Sequence, residues 1–282
     1  MKNFYFLFFV FLSFVSCSEP SKESLKPPLE ISGEAMGMGY SIILPAPEAN
    51  EEEQVIFTVI KETFLEIDTV YNNWNPNSEI SQLNNLKAGD RKKVSPELIR
   101  LLSLANEAFL LTQGRFDPTV GPAKEKWLQS LDQGKSLSQE EISEVQKLVG
   151  WDKIHIENGE FFKDVDGVKI DLGGIAKGYG VDLLYERLSS QNTKPVFVQW
   201  SGEIRASQAH PHSRPWKVQI LSPKGSVFAK EQLDIINLEN QSIATSGDYL
   251  QTWPVTDELG NIEIYTHIVD PKTCCVLKHS KN

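Results

Sequence analysis

The stretch "KIHIENGEFFKDVDGVKIDL", residues 153–172, constrains the fold more than any other part of the chain. Its apolar and polar residues alternate with period two, broken at Asn158-Gly159 and Asp166-Gly167. Period two puts successive side chains on opposite faces of a sheet. Asn-Gly and Asp-Gly tolerate the positive φ angles that tight hairpins require. The segment therefore predicts three antiparallel strands in a meander, the third running into "KIDLGGIAKGYGVDLL", residues 169–184. Hairpin-linked strands argue against a doubly wound parallel sheet, in which crossover helices separate neighbouring strands.

Helical patterns precede this segment. Ile56, Ile60, Phe64, Ile67 and Tyr71 recur at helical spacing and predict a helix from about Glu52 to Tyr71. "NNWNPNSEISQLNN" then breaks it with Asn and Pro. Ser95 caps the next helix, Pro96 opens it and Gly114 follows its end. "GRFDPTVGP" is expected as a rigid loop around Asp117. Ser138 and Glu141 form a capping box. Ser41–Leu44, Val196–Trp200, Trp216–Leu221, Leu233–Leu238 and Ile264–Val269 are further strand candidates. Helices mixed with hairpin-linked strands define an α+β fold with antiparallel β-sheets and packed helices.

With 40% hydrophobic and 23% charged residues, the 282-residue chain can bury one large or two small cores. Its net charge of −10, with no Lys/Arg block to offset it, argues against a general nucleic-acid binder. Lys2 precedes an apolar run from Phe4 to Val15, too short to span a bilayer but suited to a signal peptide. "FVSC" ends at Cys17 and resembles a bacterial lipobox, which implies cleavage before Cys17 and lipid on its thiol. The expected layout is a signal peptide over 1–16, a polar, Pro-rich lipidated tether over 17–30 and one domain over 31–282. Cys274 and Cys275 are neighbours, so a disulfide between them would be strained, and both read as incidental.

"KIDLGGIAKGYGVDLL" reads as a strand, a Gly-Gly break and a helix. Free N–H groups and the dipole at a helix start favour an anion, and Lys177 adds a full charge, although such a Gly-Gly turn by itself more often serves tight packing than a ligand. The pattern is neither a Walker A loop nor a dinucleotide fingerprint. His210-Pro211-His212 lacks a third metal ligand and reads as a surface loop.

Seven segments occur in order: "AMGMGYSI" (35–42), "SEISQLN" (78–84), "FDPTVGP" (116–122), "DLGGIAKGYGVD" (171–182), "SGEIRA" (201–206), "ATSGDY" (244–249) and "HIVDPKT" (267–273). The series resembles the ApbE family of FAD:protein FMN transferases, over roughly residues 33–280. The resemblance implies Mg2+-dependent transfer of the FMN half of FAD to a Thr or Ser hydroxyl of a target protein, with release of AMP. It implies work on the periplasmic side of the membrane, on flavin-carrying NqrC/RnfG-like subunits of redox complexes. It further implies that Met36, Trp74, Asp117, Lys177, Thr245 and Ser246 contact the flavin nucleotide. The Ala176 carbonyl would be a Mg2+ ligand, and His267 the base that takes the target hydroxyl's proton. Asp270 is expected to orient the neighbouring turn through an Asx-Pro bend. An exported FAD-binding lipoprotein without transfer, or an FAD hydrolase, is the alternative.

Three departures accompany the resemblance. Met38 stands where the family carries Thr, and Cys274 where it carries Gly. The family continues beyond this turn with a strand and a helix whose Asp and Thr, four residues apart, complete the metal site; Asn282 precedes both. An incomplete C-terminus, lacking that strand and helix, is therefore expected, with weak activity and poor stability of these 282 residues.

Overall fold

The computed structural model describes residues 26–279, except 192–194, 209, 212–213, 223–230, 248–250 and 257–259. Signal peptide, Cys17 and most of the expected tether lie outside the described residues. The first strand, β1 (Leu29–Ala35), begins within the last two residues of that tether.

A five-stranded antiparallel sheet carries the fold. Its order is β1, β2 (Met38–Leu44), β6 (Phe197–Trp200), β7 (Glu203–Ala206) and β10 (Gln241–Ile243). Period two divides its side chains between two cores. Ile42, Leu44, Val198 and Trp200 face the main core, which α1 (Asn50–Glu66) and α6 (Ala176–Ser190) cover. Ile43, Phe197 and Ile204 face the other way, toward Trp216 and Leu238. Those two belong to the ribbon of β8 (Trp216–Leu221) and β9 (Gln232–Leu238).

The α6 helix docks closely because residue 180 is glycine. A Cβ there would lie 2.8 Å from the Trp200 ring and 2.9 Å from Ile67. Arg187 ties α6 to α1 through Glu66 (2.5 Å) and Thr63 (3.1 Å). Arg205 ties it to β7 through Asp182 (2.5 Å).

The predicted helix from Glu52 is present, and its last turn, Ile67–Tyr71, is a π-helix. Ser95 caps α3 (Pro96–Leu111), and Ser138 and Glu141 make the capping box of α5 (Gln139–Gln146). Two helices lie where breaks were expected. The α2 helix (Glu79–Asn84) sits inside the Asn-rich stretch, capped by Ser78. The α4 helix (Gly121–Leu131) starts inside the expected rigid loop, after a 3-10 turn over Pro118–Val120. The α4 and α5 helices cover a second core with the sheet of β11 (Thr252–Thr256), β12 (Ile262–Asp270) and β13 (Cys275–Lys278).

The meander is corrected by the structure. Asn158 (φ 52°) and Gly159 (φ 76°) do join β4 (Ile154–Glu157) to β5 (Glu160–Lys163). The free edge of β5 pairs with β3 (Lys92–Lys93), not with residues 168–172. Side chains take the backbone groups of that segment instead. Asn84 accepts from Ile170 N–H (2.7 Å) and donates to its carbonyl (2.9 Å). Asn73 donates to the same carbonyl (2.6 Å) and accepts from Leu172 N–H (3.0 Å). Lys163, pushed below the usual lysine range by burial, spans the gap to the Asn84 and Val168 carbonyls (2.8 Å each). Two Asn amides thus stand in for a neighbouring strand.

Cys274 closes the turn before β13 at φ 53° and is buried. Its Cβ occupies backbone space that glycine enters freely. Burial pushes its thiol up to about 11, with Cys275, Asp117 and Asp270 adding to the rise, so it is protonated at neutral pH. Cys274→Gly should be more stable than Cys274→Ala by about 1 kcal/mol, because only the Ala variant keeps a Cβ in the left-handed region. Urea unfolding of both variants checks this order; a more stable Ala variant would show the turn relaxes around a Cβ.

Candidate active site

The turn at Gly173-Gly174 is the point where three loops meet. Asn73 holds the chain before it, and Asp171 N–H donates to the Pro118 carbonyl (2.7 Å). Gly174 packs on Phe116, whose ring would lie 3.3 Å from a Cβ there. The expected row of free N–H groups is mostly absent. Gly173 N–H donates to Asp171 (2.7 Å), and the N–H groups of Ile175 and Ala176 both reach the Leu172 carbonyl. Positive charge at the turn therefore comes from Lys177 and the helix dipole.

Lys177 is partly exposed. Its Nζ lies 3.9 Å from Oε1 of Glu203. Glu203 starts β7 after a tight turn at Ser201 (φ 54°) and Gly202 (φ 92°), and pairs across with Trp200. Ser201 N–H donates to the Gly39 carbonyl and Trp200 Nε1 to the Ala35 carbonyl, which brings the β1–β2 turn alongside. Met36 makes that turn at φ 51°, followed by Gly37 at 73°. A side chain held in the left-handed region is strained, and such strain collects at functional positions. Met36, Ile175, Ala176 and Tyr179 all pack against the main core. Met38 packs there too, so the residue replacing the family's Thr is an apolar contact.

Trp74 is 86% exposed on a braced loop. Asp68 accepts from Asn72 (2.7 Å) and Asn75 (3.0 Å), and Asn72 accepts from Trp74 N–H (3.0 Å). A bare indole on a rigid loop is a ready stacking surface. Asp117 caps its own turn, accepting from the N–H (2.8 Å) and hydroxyl (2.6 Å) of Thr119 through one oxygen.

Thr245 and Ser246 are exposed just after β10. Ile243 pairs with Ile204, so the chain leaves β10 level with Glu203. His267 lies on β12 where its register with β13 shifts, between Tyr265 and Val269, and its Nδ1 is shielded from solvent. The strand leads into the expected Asx-Pro bend, in which Asp270 accepts from Lys272 N–H (2.9 Å). Trp127 Nε1 donates to the Cys274 carbonyl (2.7 Å), which ties this turn to α4, the helix that follows the Asp117 turn. His210 is not a surface residue. It is buried against Trp216 (4.7 Å, edge-on) with Nε2 3.1 Å from Arg214. His212 lies outside the described residues.

Sequence reasoning overlooked Asn73, Asn84 and Lys163, which position the turn, and gave Glu203 no role. What marks Glu203 is its place in the structure, directly across a two-residue hairpin from the core residue Trp200. For a metal, the described residues hold no group of three or more His, Cys, Asp or Glu placed to bind one. Asp171 is occupied by Lys124 (2.7 Å) and Gly173 N–H. The Ala176 carbonyl alone does not fit Mg2+, which takes near-octahedral oxygen coordination.

Lys177 at a glycine turn, the exposed Trp74 and Met36 at positive φ are groups of the kind that suit an anionic ligand with a flat ring system. Residues 36–281 match the ApbE family. The chain is 34% identical over 272 residues to an FAD:protein FMN transferase of Chlamydia pneumoniae, covering 95% of this chain and 79% of the relative. The flavin transferase ApbE of Vibrio cholerae shares the structure with a TM-score of 0.71 at 28% identity, covering 88% of this chain and 77% of that one. The apo flavinyl transferase ApbE of Pseudomonas stutzeri shares the fold with a TM-score of 0.75 at 23% identity, covering 89% and 77%. The chain belongs to the ApbE family.

Proposed function

We propose that this protein transfers the FMN half of FAD to a Thr or Ser hydroxyl of a target protein. The observation that carries this reading is the 34% identity, over 95% of the chain, to an FAD:protein FMN transferase. The site agrees in kind: its cation suits a diphosphate and its exposed indole a flavin ring. In this reading Met36 and Trp74 contact the flavin, and Lys177 faces the diphosphate. Asp117, Thr245 and Ser246 line the nucleotide. His267 takes the proton of the target hydroxyl as its oxygen attacks the phosphorus next to FMN. The new P–O ester forms, the bond to the AMP phosphate breaks, and AMP leaves with the bridging oxygen.

Mg2+ is expected to accompany the FAD diphosphate, with the Ala176 carbonyl as one oxygen near it. When bound there it would neutralise charge on the diphosphate, and the residue roles above are assigned without it. The protein is further proposed to be an exported lipoprotein anchored through Cys17, acting on NqrC/RnfG-like flavin-accepting subunits on the periplasmic side. Palmitate labelling that survives Cys17→Ala would refute the anchor.

Incubation with FAD, Mg2+ and such a subunit, followed by in-gel flavin fluorescence, tests the function. The expected result is a fluorescent target band that EDTA suppresses and excess Mg2+ restores. FAD retained by the protein with a dark target would favour a binding lipoprotein, and free FMN with a dark target a hydrolase.

A further inference from the structure

Glu203 is placed where a carboxylate is costly. It sits on the helix-facing side of the five-stranded sheet, across from Trp200, a side that also carries Ile42, Leu44, Val198 and Arg205. Its side chain is 12% exposed. Among the described residues its Oε2 is buried with no hydrogen-bond partner, and its Oε1 meets only the Lys177 ammonium, at 3.9 Å. That gap is longer than a hydrogen bond. A buried carboxylate held this loosely adds little to folding, because its desolvation is only partly offset. Arg205, two residues on and on the same face, shows the alternative: it closes on Asp182 at 2.5 Å. Nothing in the packing of β7 requires an acid at residue 203.

We propose that Glu203 is a positioning residue: it holds the Lys177 ammonium at the Gly173-Gly174 turn, so that the lysine is already in place when an anionic ligand arrives. Lys177 leaves α6 in its first turn with a partly exposed, four-carbon side chain of high rotamer freedom. Among the described residues Glu203 is the acid that faces its ammonium, and the strand pairing to Trp200 fixes the carboxylate's height. The long separation leaves the lysine able to donate to a phosphate oxygen without breaking a tight pair. The inference rests on the proposal that the ligand is FAD with its diphosphate at Lys177.

The test is a double-variant cycle read by FAD titration and by thermal melting of the ligand-free chain. Glu203→Gln keeps the shape and removes the charge. It should weaken FAD binding roughly tenfold while leaving the melting temperature unchanged or raised. Lys177→Met should weaken binding at least as much. The double variant should bind like Lys177→Met alone, since Glu203 acts only through that lysine. Glu203→Asp, a methylene shorter, should not restore the wild-type affinity. Normal FAD affinity in Glu203→Gln overturns the inference. So does a loss that adds in full to that of Lys177→Met, or one that follows a fall in melting temperature. If the unmutated protein fails to bind FAD, the functional reading falls and this inference with it; if it binds and Glu203→Gln binds equally, only the positioning role falls.

Discussion

His267→Ala should slow flavin transfer by roughly 10²–10⁴-fold, the range for loss of a positioned general base. FAD affinity should change by less than about threefold, because the proposed role begins only when the target hydroxyl arrives. His267 stands at the register shift between β12 and β13, four residues before Pro271. A bulge re-aims side chains relative to a regular strand and lets a strand serve a site at its end. The bend at Asp270 then fixes the end of that strand, with Cys274 N–H donating to the Asp270 carbonyl at 2.8 Å. His267→Gln should be as impaired as the Ala variant, since an amide keeps hydrogen bonding but accepts no proton. Single-turnover growth of the fluorescent target band, set beside an FAD titration, separates the two steps. Transfer at the wild-type rate in either variant would remove His267 from the mechanism.

Asn84→Ala should lower stability by about 2–3 kcal/mol, the size expected when a buried backbone group loses its partner. Ile170 is 1% exposed, and its N–H has the Asn84 amide oxygen as its partner at 2.7 Å. Its carbonyl keeps Asn73. The Lys163 contact to the Asn84 carbonyl is a backbone contact and survives the substitution. Because both amides clamp the same residue, Asn73→Ala and Asn84→Ala together should cost more than the sum of each alone. Denaturant unfolding measures all three variants. A neutral Asn84→Ala, within about 0.5 kcal/mol of wild type, would mean that another group takes over the Ile170 N–H.

The same residues show what the sequence could reveal. Asn158-Gly159, Ser95-Pro96 and the Ser138–Glu141 box act locally, and each element they mark is present. The meander failed because its third strand needed a decision made far away in the chain. Asn73 and Asn84, 97 and 86 residues from Ile170, hold its backbone groups in place of β5. Asn-rich sequence read as a break does end the helix at Tyr71, and it is in addition a cross-braced loop presenting Trp74. The turn at Met36-Gly37 has the positive φ angles of Asn158-Gly159 without its signal, since Met is not a turn former. In the candidate site, Lys177 and the Gly-Gly turn were legible as chemistry. Glu203 became visible only once its pairing with Trp200 placed it on the core side. The anion cradle was overestimated, because carbonyl and carboxylate partners for three N–H groups could not be read from the pattern.

The most direct test of the central claim is the mass of a flavin-accepting subunit after incubation with this protein, FAD and Mg2+, with AMP measured in parallel. The account predicts a gain of one FMN less one water on a single Thr or Ser, matched by one AMP released per flavin attached. FAD bound by the protein while the subunit's mass stays unchanged would contradict it.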